Sequence, residues 1–296
     1  MGWPERLRAL GALRQDEPMA AHATLGIGGP ARWYFRPDSA EALCRALALL
    51  PPDLPRLPLG RGSNLLVVDE GFDGVVLDLD RLDRMEVEGT RVRCGAGVRM
   101  SALSARCVEE GLAGVEFMAT VPGEIGGAVA MNAGAFGQQL SDCVTEVELA
   151  AVDGTRRRVD RSALGFAYRT CRLPAGAVVL SATFRLRPDR PEQIRRRIRD
   201  MRARRGASQP LSLPNCGSVF RNPEGDYAAR LIEAAGLRGH RIGRAEISSQ
   251  HANFIVNLGG ARSADVLALM ELARERVEER FGIRLEPELR VVGGRA

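Results

Sequence analysis

Ser218 lies in the stretch "NCGSVFRNP" (215–223), directly after Gly217, where a hydroxyl is presented at a turn. A nucleophilic serine is activated by an adjacent base. The three histidines of the chain, His22, His240 and His251, supply none beside it in sequence. Ser218 therefore reads either as a catalytic residue without its usual base or as a turn residue, and the residues alone leave both readings open.

Three glycine-rich stretches carry the remaining chemical signal: "TLGIGGPARW" (24–33), "LGRGSNLLVVDEGFDG" (59–74) and "VPGEIGGAVAMNAGAFG" (121–137). Glycine lets successive backbone amides turn inward and cradle phosphate oxygens without a cationic side chain. In the second stretch Gly60 and Gly62 lead through Ser63 and Asn64 into "LLVV", a strand and not a helix, so the dinucleotide fingerprint GxGxxG is absent. In the third, the small residues from Gly126 to Ala130 allow a tightly packed helical turn, and Asn132 to Gly134 give a polar stop. Each stretch taken singly could be a set of structural turns. Together they favour a phosphate-bearing cofactor.

The composition excludes other chemistries. The chain has no lysine, and all 42 of its cationic lysine and arginine positions are arginine. Lysine Schiff bases, the usual pyridoxal phosphate anchor and a P-loop lysine are all ruled out. The six cysteines form no CxxC pair and share no zinc-type spacing with the histidines, so neither a disulfide framework nor a metal is expected. No run of about 18 apolar residues is present, and the start shows no secretory pattern, which predicts a cytoplasmic protein that does not enter the membrane. The net charge of +5 and the run "RRRIRDMRARR" (195–205) raise nucleic acid as a partner. Ile194, Ile198 and Met201 fall at helical spacing, however, so the arginines read as the solvent side of an amphipathic helix. Arg204 and Arg205, near its end, are placed to serve an anionic substrate.

These loops need a scaffold. "DSAEALCRALALL" starts with an Asp38/Glu41 capping-box pattern and continues as a helix, while "GVVLDL", "VTEVELAAV" and "VVLSATFRLR" read as strands. The proline-rich "LPPDLPRLPLG" reads as a loop. In the last third, "DYAARLIEAAG" and "SADVLALMELARERVEERFG" read as helices, accompanied by strands at "NFIVN" and "ELRVV". The fold class is α+β, with a boundary near 190–206.

"GRGSNLLV", "VPGEIGGAVAMNAGAFG", "YRTC" (168–171), "NCGSVFRNP", "SSQHANFIVN" and "LEPELRVVG" occur in an order that resembles the UDP-N-acetylenolpyruvoylglucosamine reductase family, from about Thr24 to Gly293. The short spacing between "YRTC" and "NCGSVFRNP" is similar to its shorter, type II form. The resemblance implies a two-lobed FAD-binding region of the vanillyl-alcohol-oxidase type over 1–190, dividing near 70. A connecting helix over 191–205 and an α+β substrate domain over 206–296 follow. It also implies a cytoplasmic peptidoglycan-precursor enzyme with non-covalent FAD, NADPH as co-substrate and UDP-N-acetylenolpyruvoylglucosamine as substrate.

On this resemblance Ser218 is the proton donor to C2 of the enolpyruvyl group after hydride reaches C3, which needs no histidine. Arg169 pairs with the substrate carboxylate, and Glu288 either shares a proton there or orients its partners. FAD contacts are expected from Gly60, Arg61, Gly62, Ser63, Asn64 and Leu65, from Pro122, Gly123, Gly126, Gly127, Ala128, Asn132, Ala133 and Gly134, and from Val179. Substrate contacts are expected from Tyr168, Arg205, Asn222, Gln250 and His251. Two positions depart from the family pattern. Cys171 stands where serine is common, and Glu124 occupies a turn position often held by a small residue, where a carboxylate would repel a pyrophosphate unless it points outward. The competing readings are a related FAD oxidase of a hydroxy acid or alcohol and an arginine-rich nucleic-acid-binding protein.

Overall fold

The computed structural model describes residues 2–294, so Met1 and the last two positions of the expected C-terminal domain lie outside the described residues. The chain forms two compact units whose sequences interleave. One comprises 1–15, 33–61 and 74–204, and the other 16–32, 62–73 and 205–296.

The first unit is organised by a five-stranded antiparallel sheet in the order Arg156–Asp160, Val144–Ala150, Val178–Arg185, Arg91–Gly95, Met85–Glu88. Its middle strand, Val178–Arg185, is buried on both faces along nearly its whole length, and this explains why the run "VVLSATF" is almost continuously apolar. The short helix Ile125–Ala130 packs on this sheet, and a Cβ at Gly126 would lie 3.1 Å from Ala96 Cβ, so the small side chain sets how closely helix and strand approach.

Two local expectations are corrected here. The helix Ala40–Leu49 is capped by Ser39, whose Oγ accepts from the Ala42 amide at 3.1 Å, and not by a box beginning at Asp38. Asp38 instead pairs with Arg81. Within the proline-rich segment expected as a loop, Arg56–Leu59 is a strand paired in parallel with Phe72–Asp78. It is the edge strand of its sheet, where Pro58 can be accommodated without breaking a ladder on its other side.

The helix Pro191–Ser208 carries the chain from the first unit toward the second. Ile194 and Ile198 are buried with Val108 and Ala113, while Arg195, Arg196, Arg199, Arg202 and Arg204 are exposed. Arg197 turns inward, bonding Glu116 at 2.8 Å and Asp189 at 2.6 Å.

In the second unit an antiparallel sheet runs in the order Asn215–Ser218, Phe254–Asn257, Ala245–Ile247, Arg241–Ile242. The long helix Ser263–Phe281 packs on it and ends at Gly282, in the left-handed region at φ 68°. Arg290–Val292 pairs in parallel with Leu65–Val67, which ties the middle of the second glycine stretch to the C-terminal part of the chain. Leu25, Ile27 and Leu66 join its core.

Candidate active site

In the second unit Ser218 ends the strand Asn215–Ser218, half-buried, beside a register irregularity in the pairing with Phe254–Asn257. Asn215 shapes the turn. Its Oδ1 accepts from the Gly217 amide at 3.0 Å, and Gly217 adopts φ 78°, a conformation that favours glycine. On the other side of Ser218, the amides of both Glu288 and Leu289 donate to the Val219 carbonyl, at 2.8 and 3.1 Å. Val219 in turn donates to the Asn253 carbonyl at 2.9 Å, and the buried Asn253 side chain bonds both the amide and the carbonyl of Phe220. Residues 70 positions apart are thereby held on adjoining backbone, with Ser218 one residue from the carbonyl that receives Glu288.

The expected substrate contacts of this unit fall into two kinds. Asn222 Oδ1 accepts from the Ala228 amide at the start of the helix Ala228–Ala234, and Gln250 Nε2 donates to the carbonyls of Gly206 and Ala207, which lack helical partners at the end of Pro191–Ser208. Both side chains brace helix ends. Arg205 and His251 are different, because Arg205 Nε and His251 Nδ1 are buried without a hydrogen-bond partner. Burial, aided by the charge of Arg205, holds the His251 imidazole below its ordinary range, and burial also lowers the Arg205 guanidinium pKa.

In the first unit Arg169 adopts φ 55°, which is uncommon for a side-chain-bearing residue, and Nη2 donates to the Gly134 carbonyl at 3.0 Å. Its guanidinium lies 5.0 Å from the centroid of the Tyr168 ring, which is 49% exposed. Asn132 is fully buried, donating to Gln139 Oε1 and the Ala167 carbonyl and accepting from the Ser141 amide. Its amide is thus spent joining the third glycine stretch to the loop that carries Tyr168 and Arg169. Ala133 accepts from the Leu140 amide, while Ala128 and Val179 are buried in the core with 4% and 5% exposure. Leu65 is likewise buried, in the parallel pair of the second unit.

The family described as UDP-N-acetylenolpyruvoylglucosamine reductase, C-terminal domain, matches residues 209–292, and an FAD binding domain matches residues 31–160. A UDP-N-acetylenolpyruvoylglucosamine reductase of Anaeromyxobacter dehalogenans is 47% identical over 99% of this chain and 90% of its own. One of Geobacter metallireducens is 47% identical over 97% of each chain. The chain belongs to the UDP-N-acetylenolpyruvoylglucosamine reductase family. The crystal structure of the reductase of Thermus caldophilus superposes with a TM-score of 0.82 at 36% identity, covering 95% of this chain and 98% of that one. The order of the two domains agrees with the α+β architecture and the FAD requirement expected for this family.

The residues present in the first unit fit FAD. Gly127 is exposed, and a Cβ there would meet nothing within 4 Å, which leaves an open face on the helix Ile125–Ala130. Gly123, at φ 143°, stands exposed enough beside Pro122 to offer backbone to a ligand, and Arg61 is an exposed cation next to Gly60. In the second unit, Gly62 is glycine for a different reason, since a Cβ there would lie 2.3 Å from the His22 carbonyl oxygen. Ser63 and Asn64 follow it, both half-buried. Among the described residues no group of three or more His, Cys, Asp or Glu is arranged to hold a metal ion.

Glu124 does not point outward. It is 6% exposed, and a Cβ on Gly60 would sit 3.0 Å from its Oε2. Reading the sequence also missed Asn215 and Asn253, whose amides hold the backbone on either side of Ser218. Both lie inside motifs already singled out, "NCGSVFRNP" and "SSQHANFIVN". Their roles depend on partners 33 residues or more away in one case and on a local turn in the other.

Proposed function

We propose that this chain reduces UDP-N-acetylenolpyruvoylglucosamine to UDP-N-acetylmuramate, with NADPH as the electron source and non-covalent FAD as the cofactor, in cytoplasmic peptidoglycan precursor synthesis. The observation that carries the reading is the convergence of Ser218 and Glu288 around the Val219 carbonyl, in a chain of this family. FAD, when bound, supplies the two-electron chemistry by taking hydride from NADPH and giving it to C3 of the enolpyruvyl group.

The residues of the chain provide the rest. Charge builds at C2 and spreads into the neighbouring carboxylate as C3 is reduced, so a cationic partner for that carboxylate lowers the barrier. Arg169 takes this role, its guanidinium already oriented by Tyr168 and the Gly134 carbonyl. The Ser218 hydroxyl gives its proton to C2, which is basic enough at that stage to take it without help from an imidazole. Glu288 orients the reacting carboxylate or shares a proton with it. Arg205 and His251 offer a half-buried cation and a neutral donor or acceptor to the phosphates and hydroxyls of the nucleotide sugar. On this reading the first unit holds the cofactor and the second supplies the proton and grips the substrate.

A spectrum tests the assignment first. The purified protein should be yellow, with a flavin band near ~450 nm, and should release FAD on denaturation. Under anaerobic conditions NADPH should bleach that band, and UDP-N-acetylenolpyruvoylglucosamine should restore it. A protein that stays colourless after reconstitution with FAD overturns the reading. Reoxidation by oxygen coupled to oxidation of an alcohol, with no response to the enolpyruvyl substrate, would identify an oxidase instead.

A further inference from the structure

Glu124 lies between Gly123 and the helix Ile125–Ala130, with its Oε2 buried and without a hydrogen-bond partner. That oxygen faces the backbone of Gly60, where any side chain would crowd it at 3.0 Å. The charged groups around the carboxyl are Asp78, Asp80, Arg61 and Arg99. Asp78 is itself buried, accepts from the Tyr34 hydroxyl and from the Asp80 amide at 3.1 Å, and so has its acceptors engaged. Arg36 lies on Asp80, 3.4 Å away. Glu124 is therefore a carboxyl with one unengaged oxygen and two acidic neighbours, packed against Gly60 of a glycine loop expected to hold the cofactor.

A charged carboxylate placed there would be desolvated, repelled by Asp78 and Asp80, and repelled again by a pyrophosphate. The protonated form avoids all three costs and has a hydroxyl to donate. We propose that Glu124 is protonated in the FAD-loaded protein and donates a hydrogen bond to an oxygen acceptor of the dinucleotide at the Gly60 loop, so that retention of FAD depends on this one proton. The inference rests on FAD being the cofactor of this unit. Its energetics agree with the site, because burial above all, and then Asp78 and Asp80, push the Glu124 carboxyl up to about 7, while Arg61 and Arg99 oppose this. The group thus changes charge in the physiological range, and binding coupled to one proton weakens with rising pH by up to tenfold per unit once the free form has ionised.

The test is equilibrium dialysis of the FAD-loaded protein between pH 5.5 and 8.5, with released flavin read by fluorescence. The wild-type Kd should be flat at the acid end and rise above about pH 7, approaching tenfold per unit. Glu124→Gln, a neutral donor of the same shape, should bind FAD with a flat profile close to the wild-type acid limit. Glu124→Ala should be equally flat but weaker throughout. A flat wild-type profile overturns the proposal, as does a Glu124→Gln profile that keeps the wild-type slope. Glu124→Ala binding as tight as Glu124→Gln overturns the donor role. The wild-type profile decides even if a variant fails to fold. Absence of FAD binding at every pH overturns the cofactor assignment together with the proposal, whereas pH-independent binding overturns the proposal alone.

Discussion

The Asn64 side chain donates to the backbone carbonyl of Glu288 at 3.0 Å, and the Asn64 carbonyl accepts from Arg290 at 3.2 Å. The second glycine stretch is thereby joined on both sides of Leu289 to the segment that carries Glu288. Asn64→Ala leaves the Glu288 carbonyl without this donor and should cost about 1 kcal/mol of stability. It should also slow turnover, because Glu288 is then held less firmly against Val219. Denaturant melts and steady-state rates check the two effects, and unchanged values for both would remove Asn64 from the support of the site.

Glu288→Gln should preserve folding and FAD content while slowing turnover by at least ~100-fold, the usual scale for losing a positioned transition-state group. Flavin content and kcat measured on the same preparation separate a lost group from a lost cofactor. Near-normal turnover takes Glu288 out of the site.

Ser218 should matter in only one half of the reaction. Hydride transfer from NADPH needs no proton from its hydroxyl, so Ser218→Ala should bleach the flavin at close to the wild-type rate. Reoxidation by UDP-N-acetylenolpyruvoylglucosamine should slow by at least ~100-fold, about 3 kcal/mol or more. Anaerobic stopped-flow at the flavin band follows each half separately. Loss of NADPH-driven bleaching, or wild-type reoxidation, would show that Ser218 is not the donor.

Arg169→Lys keeps the charge but loses the planar fork that can bond the Gly134 carbonyl, stack on Tyr168 and still meet a carboxylate. The expected result is a higher KM for the enolpyruvyl substrate together with a lower kcat, and no change in bleaching by NADPH. Equal damage to both half-reactions would point to a structural role for the loop.

Glu124 also makes a stability prediction in the absence of FAD. Its folded pKa is raised to about 7 from an ordinary value near 4.5, so the folded protein is favoured by the neutral form. This contribution is fully present below pH 4.5 and is lost as the pH rises through about 7. Between those limits the wild-type protein should lose about 2 kcal/mol relative to Glu124→Gln, after allowance for solvent screening. Comparing the two proteins cancels His251, whose lowered pKa acts in the opposite sense. Parallel melting curves would refute the buried carboxyl.

Local pattern made much of this protein legible. The helical spacing of Ile194, Ile198 and Met201 determined which side of Pro191–Ser208 is buried, because a 3.6-residue period depends only on neighbouring positions. The apolar run at Val178–Arg185 identified a strand, and the ordered motifs around Ser218, Arg169 and Glu288 identified the family. Boundaries were less legible. Ser39 and Asp38 are both good caps, and the choice was made by Arg81, 43 positions away, which engages Asp38. The strand at Arg56–Leu59 was hidden by Pro58 and the prolines before it, and Pro58 is tolerated there because of an edge position that only the sheet defines. Long-range pairing alone decided that Glu288 reaches the Val219 carbonyl, that Asn132 donates to the Ala167 carbonyl, and that Glu124 turns inward toward Gly60. A residue's type says what bonds it can make, but the choice among them is set by which distant backbone groups the core brings within about 3 Å.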